Sequence, residues 1–288
     1  MHLKIIPSFL MLFVCTITFP QEATEIYLFE LNKTDHNYTL TNPINISDNE
    51  GYDNQPSFTD DGTSILFSSN RNGQTDIALY DIEFGFRSWL TNTEGNEFSP
   101  ASIPKKKKYF SCIRLNEDGS QLLYKYSYKN KEPLVLIPNL KVGYYIWFDN
   151  KSVILFVLGD LESLQVNNFK YKIRYPAQQK IGRSFQKIPD TDLISFISKS
   201  HETPEIYSLN PINSETTFIT DPIEGSEDLT WTLDGSILMA KDAKIFKFKP
   251  HEDKDWKEIT IESDLPLKNI TRLVVSPDGT KIAIVVDE

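Results

Sequence analysis

Short apolar segments alternate with polar turns along most of the chain, and three of these turns contain the same Asp-Gly pair. The turns lie at residues 58–62, 231–235 and 275–279, and an apolar segment follows each of them. Glycine readily adopts the positive φ angle of a tight turn, so an Asp-Gly pair between apolar segments predicts a β-hairpin. The pattern therefore predicts short antiparallel strands, and it contains no convincing helical periodicity.

The hairpins belong to a repeat that occupies most of the chain. One apolar anchor residue marks the end of the first strand in each copy: Phe58, Ile103, Trp147, Ile188, Trp231 and Val275. These anchors are separated by 45, 44, 41, 43 and 44 residues, which leaves room for four short strands in each copy. Repeats of this length and strand content are typical of propeller blades. We therefore predict an all-β fold, a six-bladed β-propeller.

The two ends of the chain carry complementary parts of one blade. The sixth repeat ends after two strands, whereas residues 25–29 and 45–47 have the pattern of a third and a fourth strand. We expect the N-terminal strands to pair with the C-terminal strands, because this pairing closes the ring and protects both sheet edges. The predicted propeller covers residues 24–288, and blade six is shared between residues 24–48 and 269–288.

The first repeat resembles that of a known family. The resemblance is carried by residues 51–58, 61–62, 69–73, 76–77, 90–91 and 98–100. Together these segments resemble the repeat of the TolB-like, WD-repeat-like propellers. The resemblance extends over residues 24–288 and implies a six-bladed propeller, but such propellers serve many functions. TolB itself is known to carry an extra α/β domain before its propeller. Here the propeller is expected to follow the export signal directly, so membership of a Tol–Pal complex is not implied.

The first twenty residues have the pattern of a signal peptide. Lys4 supplies a positive charge, residues 5–19 are mostly apolar, and the polar pair Gln21-Glu22 follows. This apolar stretch is short for a membrane span, so we predict a signal peptide at residues 1–20 and a periplasmic or secreted protein. Residues up to Cys15 weakly resemble a lipoprotein box, which leaves a lipid anchor on Cys15 as an alternative.

Charge and motif content reduce the range of functions that the protein can have. The 40 acidic and 30 basic residues give a net charge of -10, which argues against nucleic acid as a partner. The sequence contains no Gly-x-Ser-x-Gly, His-Glu-x-x-His or Cys-x-x-Cys motif and no phosphate-binding glycine loop. It also contains no later apolar stretch that could span a bilayer. We predict a monomeric, non-enzymatic protein that needs no cofactor and binds a protein or peptide in the cell envelope.

An acidic pattern precedes three of the predicted inner strands, at residues 50–53, 94–97 and 224–227. Loops that enter the inner strands of a propeller surround one mouth of its central channel. The predicted rim of this mouth comprises Glu50, Tyr52, Asp53, Arg71, Glu94, Glu97, Glu227 and Asp228. An acidic rim would attract a cation or a basic partner.

Other interpretations of these residues stay open. The second acid of each set can instead hydrogen-bond its own or a neighbouring blade, and Arg71 can pair with Asp76. A calcium-dependent hydrolase or lactonase would use converging carboxylates at the mouth, because calcium prefers oxygen ligands. A glycan-binding propeller is a further alternative, since Tyr52 and other aromatic residues precede the inner strands.

Overall fold

A computed structural model of the protein describes residues 22–35, 37–129 and 133–288. The predicted signal peptide, Cys15 included, lies outside these described residues. In chain order the strands are β1 (Thr24–Lys33), β2 (Tyr38–Asn45), β3 (Asp53–Phe58), β4 (Ser64–Arg71), β5 (Gln74–Asp81), β6 (Phe86–Trp89), β7 (Asn96–Ser102), β8 (Tyr109–Leu115), β9 (Gln121–Ser127), β10 (Leu134–Ile137), β11 (Val142–Trp147), β12 (Ser152–Val157), β13 (Ser163–Asn168), β14 (Ile173–Gln179), β15 (Ile181–Lys187), β16 (Ile194–Ser198), β17 (Glu205–Leu209), β18 (Thr216–Thr220), β19 (Leu229–Trp231), β20 (Ile237–Lys241), β21 (Lys244–Phe248), β22 (Lys257–Glu258), β23 (Thr260–Ile261), β24 (Arg272–Val275) and β25 (Lys281–Asp287). No helix in the described part of the chain is long and apolar enough to cross a membrane.

These strands form six sheets within the described residues, and each sheet is one blade. Blades one to five take four consecutive strands each, β3–β6 through β19–β22, and blade six combines β24 and β25 with β1 and β2. Each anchor residue either ends the innermost strand of its blade or follows it directly. The all-β, six-bladed propeller predicted from the repeat is therefore confirmed.

The Asp-Gly turns share one hydrogen-bonded geometry. The hydroxyl of Thr59 donates to the Asp61 carboxylate at 2.9 Å, and Thr232 and Ser276 make the same bond to Asp234 and Asp278 at 2.6 Å. The glycine that follows each aspartate has a φ angle between 71° and 78°. Because other residues rarely adopt this conformation, the glycine fixes the turn between the first and second strands of these blades.

Blade six is closed by the two ends of the described chain. Strand β1 pairs antiparallel with β25 over seven residue pairs, from Thr24↔Asp287 to Glu30↔Lys281. The side chains of Ile282 and Ile284 are fully buried in the core of this blade. The predicted closure by terminal strands is therefore observed.

The structure differs from the prediction at the outer edge of blade five. Four strands were predicted for each blade, but in blade five the fourth strand, β22, ends at Glu258, and β23 instead pairs in parallel with β2 of blade six. The side chain of Ile259, which is 3% exposed, packs in the core between blades five and six, where it joins Ile245 of blade five and Leu40 of blade six. Blade six thus has five described strands, and a segment from its neighbour covers its outer edge.

Tryptophan side chains tie neighbouring blades together. Trp147 of β11 donates its indole N–H to the hydroxyl of Ser111 in β8 at 2.8 Å, and Trp231 of β19 makes the same bond to Ser195 in β16 at 2.8 Å. Both serines are fully buried. A buried hydroxyl is costly without a partner, so these bonds help to fix the angle between successive blades.

Removing residues 281–288 should abolish the cooperative unfolding of the propeller. The deletion takes away β25 with fully buried Ile282, Ile284 and Val285. Each such side chain contributes roughly 1.5–3 kcal/mol, and together they are comparable with the stability of a typical domain. Thermal denaturation followed by circular dichroism measures the effect. Removal of Glu288 alone is the control and should leave the melting temperature nearly unchanged. A truncated protein that melts like the parent would show that closure by β25 is dispensable.

Candidate functional site

The inner strands of the six blades surround a central channel. Each of these strands, β3, β7, β11, β15, β19 and β24, is the last strand of its sheet, so one backbone edge has no neighbouring strand in that sheet. A cavity of about 800 Å³ extends along them. Its lining includes Arg183 and Asp228, near the beginning of inner strands, and Lys105 and Lys151, beyond their ends.

A group of polar side chains from five blades meets where the inner strands begin. We call this group the channel cluster, and it consists of Tyr52, Tyr144, Arg183, Asp228 and Arg272. Arg183 donates from Nε and Nη2 to Oδ2 of Asp228 at 3.0 and 2.5 Å. Arg272 donates from Nη1 to Oδ1 of the same carboxylate at 3.2 Å and from Nη2 to the Tyr144 hydroxyl at 3.3 Å. One carboxylate therefore joins two guanidinium groups across the channel.

Tyr52 and Tyr144 supply the aromatic part of the cluster. The guanidinium carbon of Arg272 lies 5.3 Å from the centre of the Tyr144 ring, a cation–π contact. Burial raises the pKa of Tyr52 to about 12, although the nearby charge of Arg272 acts in the opposite direction. The phenol of Tyr52 is therefore a neutral hydrogen-bonding group at physiological pH.

The channel carries a positive charge, unlike the protein as a whole. The charged side chains that line the cavity are Lys105, Lys151, Arg183, Lys187 and Arg272, against Asp60, Asp149 and Asp228. Five cations and three anions leave an excess of two positive charges in a chain of net charge -10. Because protein walls screen charge less than water does, this excess would attract an anionic group into the channel.

Two predicted rim acids are instead buried inside their own blades. Asp53 and Glu97 have no solvent exposure. Asn49 donates its side-chain N–H to Asp53 at 3.3 Å, and the Tyr126 hydroxyl donates to Glu97 at 2.7 Å. Burial raises the pKa of both carboxyl groups, that of Asp53 to about 7. These contacts fit the interpretation that the second acid of each set is structural.

The other residues of the predicted rim lie in different environments. Glu50 and Glu94 are exposed, and Glu227 forms an ion pair with Lys199. Arg71 donates from Nε and Nη2 to the Asp76 carboxylate at 3.1 and 2.6 Å. Within the predicted set, Tyr52 and Asp228 reach the channel cluster.

Sequence reasoning missed Arg183 and Arg272, and it named Tyr144 only among the aromatic residues before inner strands that could contact a peptide or glycan. They belong to no motif that recurs in every blade, since two blades contribute a tyrosine to the cluster, two an arginine and one an aspartate. A signal was nevertheless present, since Tyr144, Asp228 and Arg272 each stand three residues before an anchor. Comparing that one position across the repeats would have indicated polar residues in four blades, but it would have missed Arg183, because blade four has Phe185 there.

The cluster is poorly suited to hold a cation. Both carboxylate oxygens of Asp228 already accept hydrogen bonds from guanidinium groups, and two positive charges would repel a metal ion. Among the described residues, no group of three His, Cys, Asp or Glu side chains could hold a metal ion.

Comparison with known proteins supports the fold. No family model and no curated protein matches the sequence. A protein assigned as TolB from Agrobacterium tumefaciens superposes with a TM-score of 0.71 and 14% identity, over 93% of this chain and 99% of that chain. TolB from Acinetobacter baumannii gives 0.58 and 13%, over 92% of this chain and 65% of that chain. A gluconolactonase from Xanthomonas campestris gives 0.63 and 8%, over 94% and 98%.

These findings define the protein first as a six-bladed propeller closed by strands from both ends of the described chain. More particularly, its fold is that of the TolB-like propellers, as the repeat in the sequence predicted. At this level of identity the likeness concerns the fold and leaves the function to be inferred from the channel.

Replacing Asp53 with Asn should remove part of the pH dependence of stability. The folded pKa of about 7 lies above the ordinary value of 3.8, so the folded state holds this proton more tightly. The stabilisation is complete below pH 4 and is lost as the pH rises through 7. A shift of three units corresponds to at most about 4 kcal/mol. Chemical denaturation of the parent and of Asp53→Asn, at pH 5 and pH 8, measures the difference.

The matched control for this experiment is Glu94→Gln. Glu94 is an exposed acid of the same repeated pattern, so its replacement should leave the pH dependence unchanged. A parent that loses stability between pH 5 and pH 8, with an Asp53→Asn variant that loses less, is the expected result. Equal losses in all three proteins would show that Asp53 is ionised in the folded state throughout this range.

Proposed function

We propose that the protein is an exported, non-enzymatic propeller of the bacterial cell envelope that binds a protein or peptide segment in its central channel. The predicted signal peptide and the TolB-like fold support a location in the periplasm or outside the cell. The observation that carries the proposal is the channel itself, in which hydrogen bonds join polar side chains from four blades.

The shape and lining of the channel fit a bound segment of polypeptide. A cavity of about 800 Å³ lies in the size range of ligand sites. Each inner strand has one edge outside the ladder of its own sheet, where backbone groups can pair with an extended segment, although the N–H groups of Ser99, Leu229 and Val275 already donate to side chains of neighbouring blades. Proteins often recognise extended peptides through such strand edges, while side chains in the same groove give specificity.

A calcium-dependent hydrolase or lactonase is the alternative from a different class. Its support is the likeness in fold to the gluconolactonase from Xanthomonas campestris. The channel cluster favours binding of an anion over a cation, because Asp228 is held between Arg183 and Arg272. Calorimetric titration with calcium separates the two proposals, since a lactonase of this type would bind the ion and the binding propeller would not.

Plugging the channel should abolish capture of the envelope partner. Ser57 of β3 is half-buried and lines the cavity, so Ser57→Cys places a thiol there. Cys112 should not react with a bulky maleimide, because it is fully buried and burial raises the pKa of its thiol. The labelled protein, immobilised, is compared with the unlabelled protein for capture of proteins from an envelope fraction.

The matched control is Glu83→Cys carrying the same label. Glu83 is exposed in the turn between β5 and β6, outside the lining of the channel. We expect the label on residue 57 to abolish capture and the label on residue 83 to leave it intact, with equal melting temperatures. Capture that survives the label on residue 57 would show that the partner binds elsewhere on the propeller.

A further inference from the structure

We propose that the channel cluster recognises a carboxylate, and that the segment which enters the channel is an extended acidic peptide. This inference rests on the proposed function, because it specifies the chemistry of the ligand at the same site. It replaces the basic partner expected from the acidic rim, since the charges that line the cavity have the opposite sign.

The first argument is the number of donors in the cluster. A guanidinium group has five N–H donors and no acceptor. Arg183 uses Nε and Nη2 for Asp228, and its Nη1 donates no hydrogen bond within the described residues. Arg272 uses one bond from each of Nη1 and Nη2. Donors therefore remain on both arginines, and a second carboxylate could accept hydrogen bonds from them.

The second argument is the charge balance. Two guanidinium groups share one carboxylate, so the cluster keeps one positive charge while its side chains are only 34% (Arg183), 16% (Arg272) and 11% (Asp228) exposed. Partly buried charges attract a counter-ion more strongly than exposed charges do, because water screens them less. A carboxylate from the ligand would neutralise the cluster.

The third argument is that the arginines are already held in place. Asp228 fixes both guanidinium groups, and the Tyr144 ring lies against that of Arg272. A ligand would therefore bind without first ordering these long side chains, which reduces the entropic cost of binding. Arginine that is held in this way is well suited to bidentate recognition of a carboxylate.

The ligand should carry more than one acidic group. Three exposed lysines line the cavity where the inner strands end: Lys187 is the last residue of β15, and Lys105 and Lys151 lie beyond the ends of β7 and β11. Asp60 and Asp149 are the acids that line the cavity there. An extended peptide can place one carboxylate at the cluster and others near these lysines. The strand edges along the channel favour a peptide over other polyanions, because they can pair with its backbone.

The test measures binding of dye-labelled octapeptides by fluorescence anisotropy. The probes are alternating Glu-Ser, Gln-Ser and Lys-Ser peptides, used with the folded protein at low and high salt. We expect the Glu-Ser peptide to bind, the other two to bind at least tenfold more weakly, and salt to weaken the binding of the first. A hexamer of a uronic acid serves as a competing polyanion of a different class.

Arg272→Gln should weaken binding of the Glu-Ser peptide about tenfold, since it removes a charge-assisted hydrogen bond. Arg272→Lys keeps the charge but loses the fork of donors, so we expect an intermediate loss. The matched control is Arg174→Gln, which removes the same charge from an exposed position on β14 outside the channel. It should change affinity less than twofold, and melting temperatures establish that each variant is folded.

Three results would overturn the inference. They are failure of the Glu-Ser peptide to bind, equal effects of Arg272→Gln and Arg174→Gln, and preference for the uronic acid hexamer. None of them depends on the labelling experiment at residue 57. Loss of envelope capture in that experiment, together with no binding of the Glu-Ser peptide, would retain the channel as the binding site and reject carboxylate recognition.

Discussion

The pairing of β1 with β25 is the contact on which the rest of the structure depends. It joins residues 24–30 to residues 281–287 and thereby closes a loop of about 250 residues. The inner strand of blade six, β24, has β25 as its one neighbour in the sheet, and β24 begins with Arg272. Ring closure therefore positions an arginine of the channel cluster as well as the last blade. The fold and the candidate site both depend on this one long-range contact. Its interactions must offset the entropy that the chain loses when the loop closes.

Local sequence patterns predicted the blades because their causes are local. An Asp-Gly turn such as Asp278-Gly279 is fixed by bonds within five residues, and the apolar strands beside it must be buried whatever the neighbouring blade is. The change of blade after Glu258 has a different origin. Ile259 is buried in a core that blades five and six share, and part of that core, such as Leu40, comes from more than two hundred residues earlier in the chain. A repeat pattern cannot indicate that β23 pairs with blade six, because this pairing depends on which surfaces meet in three dimensions.

The acidic rim was predicted from a motif that recurs in three blades. The recurring acids Asp53 and Glu97 serve the structure of the blades. Asp53 and Glu97 recur because each is buried against its own blade, as expected of residues that maintain a repeat. The channel cluster has the opposite property, because its tyrosine, arginine and aspartate side chains are not copies of one motif repeated in every blade. Tyr144 and Arg272 are hydrogen-bonded across 128 residues of sequence. The predictable residues are therefore those that serve the fold, and the candidate site is found where the repeats diverge.

The charge of the channel illustrates why composition alone misleads about a partner. A net charge of -10 describes the whole chain, but the cavity is lined by an excess of basic groups. Asp228 has a double effect in this arrangement. Without it, Arg183 and Arg272 would repel each other in a poorly screened space. With it, the two guanidinium groups are held close together while one positive charge stays uncompensated. The fold thus holds a positive charge in a partly buried position, where water screens it weakly. An acidic ligand would bind with a smaller entropic cost, because the arginine side chains are already in position.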